Sequence, residues 1–275
     1  MGRPLFGILR AATFALGLAL VISSAGADTE PAATMSANDL AARLLALQDG
    51  SSDVRLRLEV KQPIDTTKAT LQLQIKQRRT GTITDLVYQV LWPKERKGEA
   101  VLLHKADGNP PTGSIYIPPE KPRPLNASQM SGALFGSDLS YEDVIENFFG
   151  WANQTIVGSE VVNGANCLIL ESRPDKGDFS RYSRVRSWID SRRLVPLRVE
   201  KYLPSGQMAR RIETIRVVTD DKGRLIPGDL TVRGPEEDSV TNLDGSRIRH
   251  DVTYTDREFT PQGLADVMAP PSPRE

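Results

Sequence analysis

The sequence is short of the residues that most catalytic and metal chemistry requires. It has one cysteine, Cys167, and two histidines, His104 and His250, in 275 residues. A single thiol excludes an internal disulfide, and two imidazoles fall short of the converging ligands of a His- or Cys-built metal site. Each histidine therefore reads as an ordinary strand residue. Cys167, in the run Cys167-Leu168-Ile169-Leu170, reads as a buried thiol with no base to activate it. Nucleophile-elbow, phosphate-loop and dinucleotide-glycine motifs are missing as well, so the reading is of a protein without a cofactor and without enzyme activity.

An excess of either charge is also lacking, because 35 Lys+Arg balance 35 Asp+Glu. That balance leaves no electrostatic footprint for nucleic acid. Long apolar runs are confined to Ala11–Ile22, which Arg3 and Arg10 precede and Ser23-Ser24-Ala25-Gly26-Ala27 follows. The run is well short of the ~20 residues that span a bilayer, and Ala25-x-Ala27 fits the small-residue cleavage rule. Residues 1–27 thus read as a secretory signal peptide cut before Asp28, which delivers a soluble chain to the periplasm. Asp28 stands where a lipoprotein needs cysteine. Cleavage removes two arginines and no acids, taking Lys+Arg from 35 to 33 against 35 Asp+Glu, a net charge near −2. Residues 28–35 read as a disordered start, 36–268 as one domain, and 269–275, with three prolines, as a flexible tail.

What is present is alternation. Ser36-x-x-Asp39 is a capping signal, followed by Leu40, Leu44, Leu45 and Leu47 at helical spacing, so a short amphipathic helix ends near Gly50. The period then changes to two. Val54, Leu56, Leu58 and Val60 alternate with charged residues, as do Leu71, Leu73 and Ile75 with polar ones, which predicts half-buried antiparallel strands. Further strands are expected at 83–92, 100–104, 114–117, 155–162, 167–172, 182–190, 194–203, 208–218, 229–233 and 247–255. Pro118, Pro119, Pro122 and Pro124 mark a connection, and Asn163-Gly164, Pro204-Ser205-Gly206 and Asp244-Gly245 read as turns. Ser140-Tyr141-Glu142-Asp143 caps a second helix of two to three turns carrying Val144, Ile145, Phe148 and Phe149, and 262–268 suits a last helical turn. About a dozen strands with few helices predict a mainly β (α+β) fold, a large curved antiparallel sheet with helices covering one face.

Two charged clusters are candidates for chemistry. Glu142, Asp143 and Glu146, and Glu236, Glu237 and Asp238, could serve acid–base work, but carboxylates in a first helical turn are also stabilised by the helix dipole. Arg181, Arg184 and Arg186, with Arg192 and Arg193, mix with Tyr182 and Trp188 on one strand face. Such a face suits either an anionic lipid group or cation–π packing.

The stretch Asn126-Ala127-Ser128-Gln129, then Phe135-Gly136-Ser137-Asp138-Leu139-Ser140-Tyr141-Glu142-Asp143, resembles the signature "MGSDFSYEDL" of LolA-like outer-membrane lipoprotein-sorting proteins. Gly158–Gly164 with Cys167, and Trp188-Ile189-Asp190 with Pro196-Leu197-Arg198, extend the resemblance over residues 126–218. Phe135 and Leu139 stand where Met and Phe are more usual, and both keep an apolar side chain. The resemblance implies an incomplete β-barrel closed by helices, with an apolar cavity for the acyl chain of a lipid or lipoprotein. It also implies an inner-membrane lipid exporter of the resistance-nodulation-division type as a partner. Leu44, Trp92, Leu134, Phe135, Phe148 and Trp151 are the expected cavity or lid contacts. The alternative is a lipid-sensing or transporter-associated interaction module without transfer activity; a hydrolase using Glu142, Asp143 or Glu146 ranks last.

Overall fold

The computed structural model describes residues 35–61, 68–235 and 239–266. The signal segment, residues 28–34, the Glu236–Asp238 cluster and the tail from residue 267 lie outside them. Helix α1 (Ala37–Ala46) starts where the Ser36 hydroxyl accepts from the Asp39 N–H at 3.1 Å and donates to the Asp39 carboxylate at 2.7 Å. This satisfies an amide that the first turn leaves without a partner. Leu40, Ala41 and Leu44 form its buried stripe.

Thirteen strands follow: β1 (Gly50–Lys61), β2 (Lys68–Thr80), β3 (Ile83–Trp92), β4 (Ala100–Ala106), β5 (Thr112–Tyr116), β6 (Arg123–Leu125), β7 (Asn153–Val162), β8 (Ala165–Arg173), β9 (Arg184–Asp190), β10 (Pro196–Tyr202), β11 (Met208–Thr219), β12 (Leu225–Arg233) and β13 (Val240–His250). They make one antiparallel sheet in the order β6-β5-β4-β3-β2-β1-β13-β12-β11-β10-β9-β8-β7. Its edges, β6 and β7, do not pair, so the barrel is incomplete. The connection between those edges, residues 126–152, contains α2 (Tyr141–Ile145) and crosses one face of the sheet.

The alternation separates two faces. On one, Leu58, Leu71, Leu73, Val90, Leu86, Val101 and Leu103 are all at most 3% exposed, and the connection packs on them through Leu134, Leu139 and Ile145. On the other, Val87, Ala100 and Leu102 are covered by Phe259 and Leu264 from two short 3-10 turns, Asp256–Phe259 and Gln262–Ala265. Side chains of period two have to divide in this way once both faces are covered.

Four expectations need correction. The second helix stops after five residues, because Glu146 returns to extended backbone, and Phe148–Gly150 form a separate 3-10 turn. The proline-rich connection contains β6, an edge strand, the place where a missing N–H is tolerated. Asp244-Gly245 is not a turn: it lies inside β13, at a shift of register against β1 between Arg55 and Leu56. The strand ends at His250, five residues before the expected end. A bulge supplies the same local irregularity as a turn while the strand continues.

Gly245 has a steric reason to be glycine. A Cβ there would stand 2.8 Å from the Gly228 carbonyl oxygen of the neighbouring strand. Backbone cannot yield as a side-chain end can. Gly245→Ala should therefore lower stability by about 1–3 kcal/mol, read from urea unfolding. An unchanged midpoint would refute the close approach.

Candidate functional site

The connection across the sheet is organised by its own polar side chains. Gln129 Oε1 accepts from the Asn126 N–H at 2.9 Å, starting a short turn. Ala133 and Ser140 then pair in an isolated antiparallel bridge around Phe135 and Gly136, at φ 52° and 84°. Inside that loop the Ser137 hydroxyl donates to the Leu134 carbonyl at 2.7 Å. Asp138 leaves the loop and binds β13, accepting from the Thr241 hydroxyl at 2.7 Å while its N–H donates back at 2.9 Å.

The α2 cap couples to the sheet. Asp143 Oδ2 accepts from the Ser140 N–H and hydroxyl, both at 2.8 Å, and the Asp143 N–H donates to Ser140 Oγ at 3.1 Å. The same carboxylate receives Arg210 Nε of β11 at 3.0 Å, Lys201 Nζ of β10 at 3.1 Å and the Tyr182 hydroxyl at 2.6 Å. Lys201 also donates to the Asp143 carbonyl at 3.0 Å. The Asp143 side chain is 0% exposed and that of Lys201 1%. Burial alone would raise the Asp143 pKa, but the Lys201 and Arg210 charges, with the Tyr182 and Ser140 donors, hold it well below the usual carboxylate range. Burial and the Asp143 charge push the Tyr182 phenol up.

Two neighbouring acids behave differently. Glu142 accepts from the Arg181 N–H at 2.8 Å, and burial raises its pKa. Glu146 is 7% exposed and neither of its carboxylate oxygens has a hydrogen-bond partner. Burial pushes it up to about 7, against the charge of Lys201 and the nearby Ser180 side chain, which makes no hydrogen bond of good geometry to it. Glu142 and Asp143 stand in the first turn of α2 as expected, and Asp143 in addition forms a buried ionic latch to the sheet. Lys201 and Arg210 were absent from the sequence reading, and Tyr182 entered it only as part of the basic and aromatic strand face. The available signal was parity, since Lys201 sits two residues from Val199 and Arg210 two from Ile212, at positions that otherwise face inward.

The six expected contact residues fall into separate groups. Leu134 is buried with Leu86, Leu103, Leu139 and Ile145, and Phe135 touches both that cluster and the one of Leu58, Leu73 and Val90. Leu44 is buried with Phe149, Leu170 and Ile189. Trp151 is buried with Tyr182, Val185 and Val199, and Phe148 packs against both this cluster and that of Leu44. Phe148 also lies 5.7 Å under Lys201 Nζ. Trp92 stands apart at the end of β3, 50% exposed.

The other expected clusters are engaged. Arg184 stacks 4.3 Å over Tyr202, Arg198 lies 5.1 Å over Trp188, and Arg186 meets Glu171 at 2.7 Å. These contacts favour the packing role of the basic face. Cys167 is 1% exposed, and burial pushes its thiol up. Asp220, Asp221 and His250 each bring a ligand atom within 4.8 Å of the others. Arg224 already supplies the cation there, binding Asp220 at 2.8 Å and His250 Nε2 at 2.7 Å.

The latch predicts opposite pH behaviour at its two acids. Asp143 has a depressed folded pKa, so its stabilisation is complete at neutral pH and is lost only as pH falls through that depressed value. Asp143→Asn leaves Lys201 and Arg210 buried against a neutral amide and should cost about 3–5 kcal/mol at pH 7, measured by chemical unfolding. A loss below the error of the fit would remove the latch. Glu146 has a raised folded pKa, so its ionisation increasingly destabilises the fold from the ordinary carboxylate range up to about pH 7. Glu146→Gln should be more stable than the wild type at pH 8, by on the order of 3 kcal/mol, and indistinguishable from it at pH 4. Parallel stability curves for the two proteins would contradict this.

Comparison with known proteins follows the same geometry. A family model described as "Uncharacterized protein" matches residues 84–266, more than half the chain. No curated protein matches in sequence. A DUF1329 family protein from Desulfovibrio piger superposes with TM-score 0.76 at 24% identity, over 83% of this chain and 97% of that one. A domain described as outer membrane lipoprotein-sorting, from Vibrio parahaemolyticus, gives 0.72 at 20%, over 82% and 97%. A LolA superfamily protein from Nitrosomonas europaea gives 0.65 at 18%, over 82% and 97%. The chain therefore belongs to the family whose model spans residues 84–266, and its incomplete barrel has the LolA-like fold.

Proposed function

We propose that this chain is a periplasmic carrier or carrier accessory that takes the acyl chain of a lipid or lipoprotein between its sheet and the 126–152 connection. Export by the residue 1–27 signal peptide places it in the periplasm, on the way to the outer membrane. One observation carries the reading. A broad apolar sheet face is covered by a separate segment whose Asp138 and Asp143 side chains fasten it to the strands, while Leu134, Leu139 and Ile145 pack on that face. Leu134, Phe135, Leu139 and Ile145 occupy the apolar surface that an acyl chain would use.

The energetics are of the right order. An acyl chain of ~14 methylenes loses on the order of 10 kcal/mol of unfavourable hydration at ~0.8 kcal/mol per methylene when buried. Crossing water therefore requires a shielded apolar surface. Displacing the cover leaves Leu134 and Phe135 free to pack on the cargo, with Leu44, Phe148 and Trp151 at the neighbouring end of the sheet. An exporter of the resistance-nodulation-division type suits the donor, since its product needs a soluble acceptor.

The test is mass spectrometry of lipid extracted from protein purified from the periplasm without detergent, together with uptake of a fluorescent fatty acid. One lipid class near equimolar with protein is expected, with faster uptake by Asp143→Asn. A folded protein that carries no lipid and takes up no fatty acid, in either form, would overturn the carrier reading.

A further inference from the structure

The sheet forks between β12 and β13. Among the described residues these strands pair only from Asp229 to Val232, against Asp244 to Thr241. Beyond Asp229, β13 stays with β1, Arg247 to His250 lying against Arg55 to Ser52, while β12 stays with β11, Leu225 to Pro227 lying against Thr219 to Val217. Two local features suit the separation. Pro227 has no N–H to donate to a neighbouring strand, and Ser246 is the extra residue of the β13 bulge, unpaired between Gly245 and Arg247. The fork closes again at its far end, where Asp221 accepts from the His250 N–H at 2.8 Å and Lys222 Nζ meets Asp251 at 2.8 Å. An opening with both ends fastened is left inside the sheet.

A cavity of about 1020 Å³ occupies this opening, at the upper end of the range for small-molecule sites. Val54 shares the parity of Leu56 and Leu58 on the covered face, Ile248 pairs with it, and Ile226 and Val218 stand across the gap. All four line the cavity, are only partly buried and join no apolar cluster. Arg247 and Arg249 alternate with Ile248, so they belong to the other face, and they line the same cavity. A lining drawn from both faces is what a passage through the sheet gives.

The charges around the cavity differ in their partners. Each carboxylate is engaged: Asp53 by the Gln74 amide, Asp220 by Arg224, Asp221 by His250 and Asp244 by Arg216. Neither Arg247 nor Arg249 forms an ion pair among the described residues, and Arg247 stands directly opposite Arg55. Like charges in that position repel, and an anion between them reverses the sign of the interaction. Guanidinium groups hold a carboxylate or phosphate through paired N–H donors.

We propose that this opening takes an acyl chain with an acidic head group, the head at Arg247 and Arg249 outside and the chain between Val54, Ile248, Ile226 and Val218, leading onto the covered face. The proposal rests on the carrier reading and adds to it the charge of the cargo and the place where its head group stays in water. A free fatty acid and an anionic lysophospholipid share this chemistry.

Fluorescence titration of the periplasmic protein with dansylaminoundecanoic acid, with the methyl ester of the same probe as the neutral control, tests it. Arg247→Glu/Arg249→Glu should weaken binding of the acid about tenfold or more and leave the ester unchanged, a split that a general loss of structure would not produce. Ile226→Trp, which fills the opening, should weaken both probes by about the same factor. The two arginines are exposed and keep the test open if the tryptophan variant does not fold. Competition by laurate alone assigns a free fatty acid, and competition that extends to lauroyl lysophosphatidylglycerol assigns a phospholipid head group. Wild-type binding of the acid that the arginine substitutions leave unchanged would overturn this proposal and leave the carrier reading standing. No binding of either probe by the wild type would overturn both.

Discussion

The Asp143 carboxylate is the point on which the arrangement of this protein depends. It closes the α2 cap through Ser140, and it receives Lys201 and Arg210 from adjacent strands and the Tyr182 hydroxyl ahead of β9. A charge this deeply buried is stable only because several donors meet it in good geometry. The consequence is positional. Among the described residues, the cover is tied to the sheet by side chains at only a few polar points, and this one fixes α2 over β10 and β11. The apolar contacts of Leu134, Leu139 and Ile145 then have a defined register on the sheet, which unspecific burial alone would not supply.

The resembling signature gains a physical meaning from this geometry. Ser137 ties the tight loop to the Leu134 carbonyl, Asp138 reaches Thr241, and Ser140 and Asp143 cap α2 reciprocally. Glu142 accepts the Arg181 N–H from the segment that also delivers Tyr182. Phe135 and Leu139, the two positions that depart from the usual signature, keep apolar packing, with the Arg96 guanidinium 5.9 Å over the Phe135 ring. Substitution is tolerable where the requirement is apolar volume and far less so where it is a particular hydrogen bond.

The sheet was legible in the sequence because alternation is a local property. Strand β3 runs from Ile83 to Trp92, as expected, and α1 begins at the predicted Ser36 cap. Expectation failed where a local signal had two meanings. Asp244-Gly245 marks a turn in most contexts, yet here it forms a bulge that lets β13 continue past Gly228. Apolar residues at 144–149 continue a helical pattern, but the backbone turns extended at Glu146 and the helix ends there. The site was legible on one side only. Ser140 and Asp143 are adjacent enough in sequence to be recognised as a cap, whereas Lys201 and Arg210 are 58 and 67 residues from Asp143. An inward lysine in an alternating strand looks like a wet-face residue until the fold supplies its partner.

The latch also explains how a firmly fastened cover can serve the proposed exchange. Removing one partner by mutation leaves the other charges buried and unpaired, which is why the cost of substitution is high. Opening the cover is different, because Asp143, Lys201 and Arg210 would all pass into water, where hydration replaces much of what their pairing supplied. Glu146 works in the same direction. Its oxygens make no hydrogen bond of good geometry here and would gain water if the proposed exchange lifted the cover. The apolar part of the exchange is nearly balanced, since an acyl chain would cover the surface that Leu134, Phe135 and Ile145 leave. A carrier must bind strongly enough to cross water and weakly enough to release. In the proposed exchange, a cover held by charges that would hydrate on opening, over a face that cargo would cover equally well, would meet both conditions with one set of side chains.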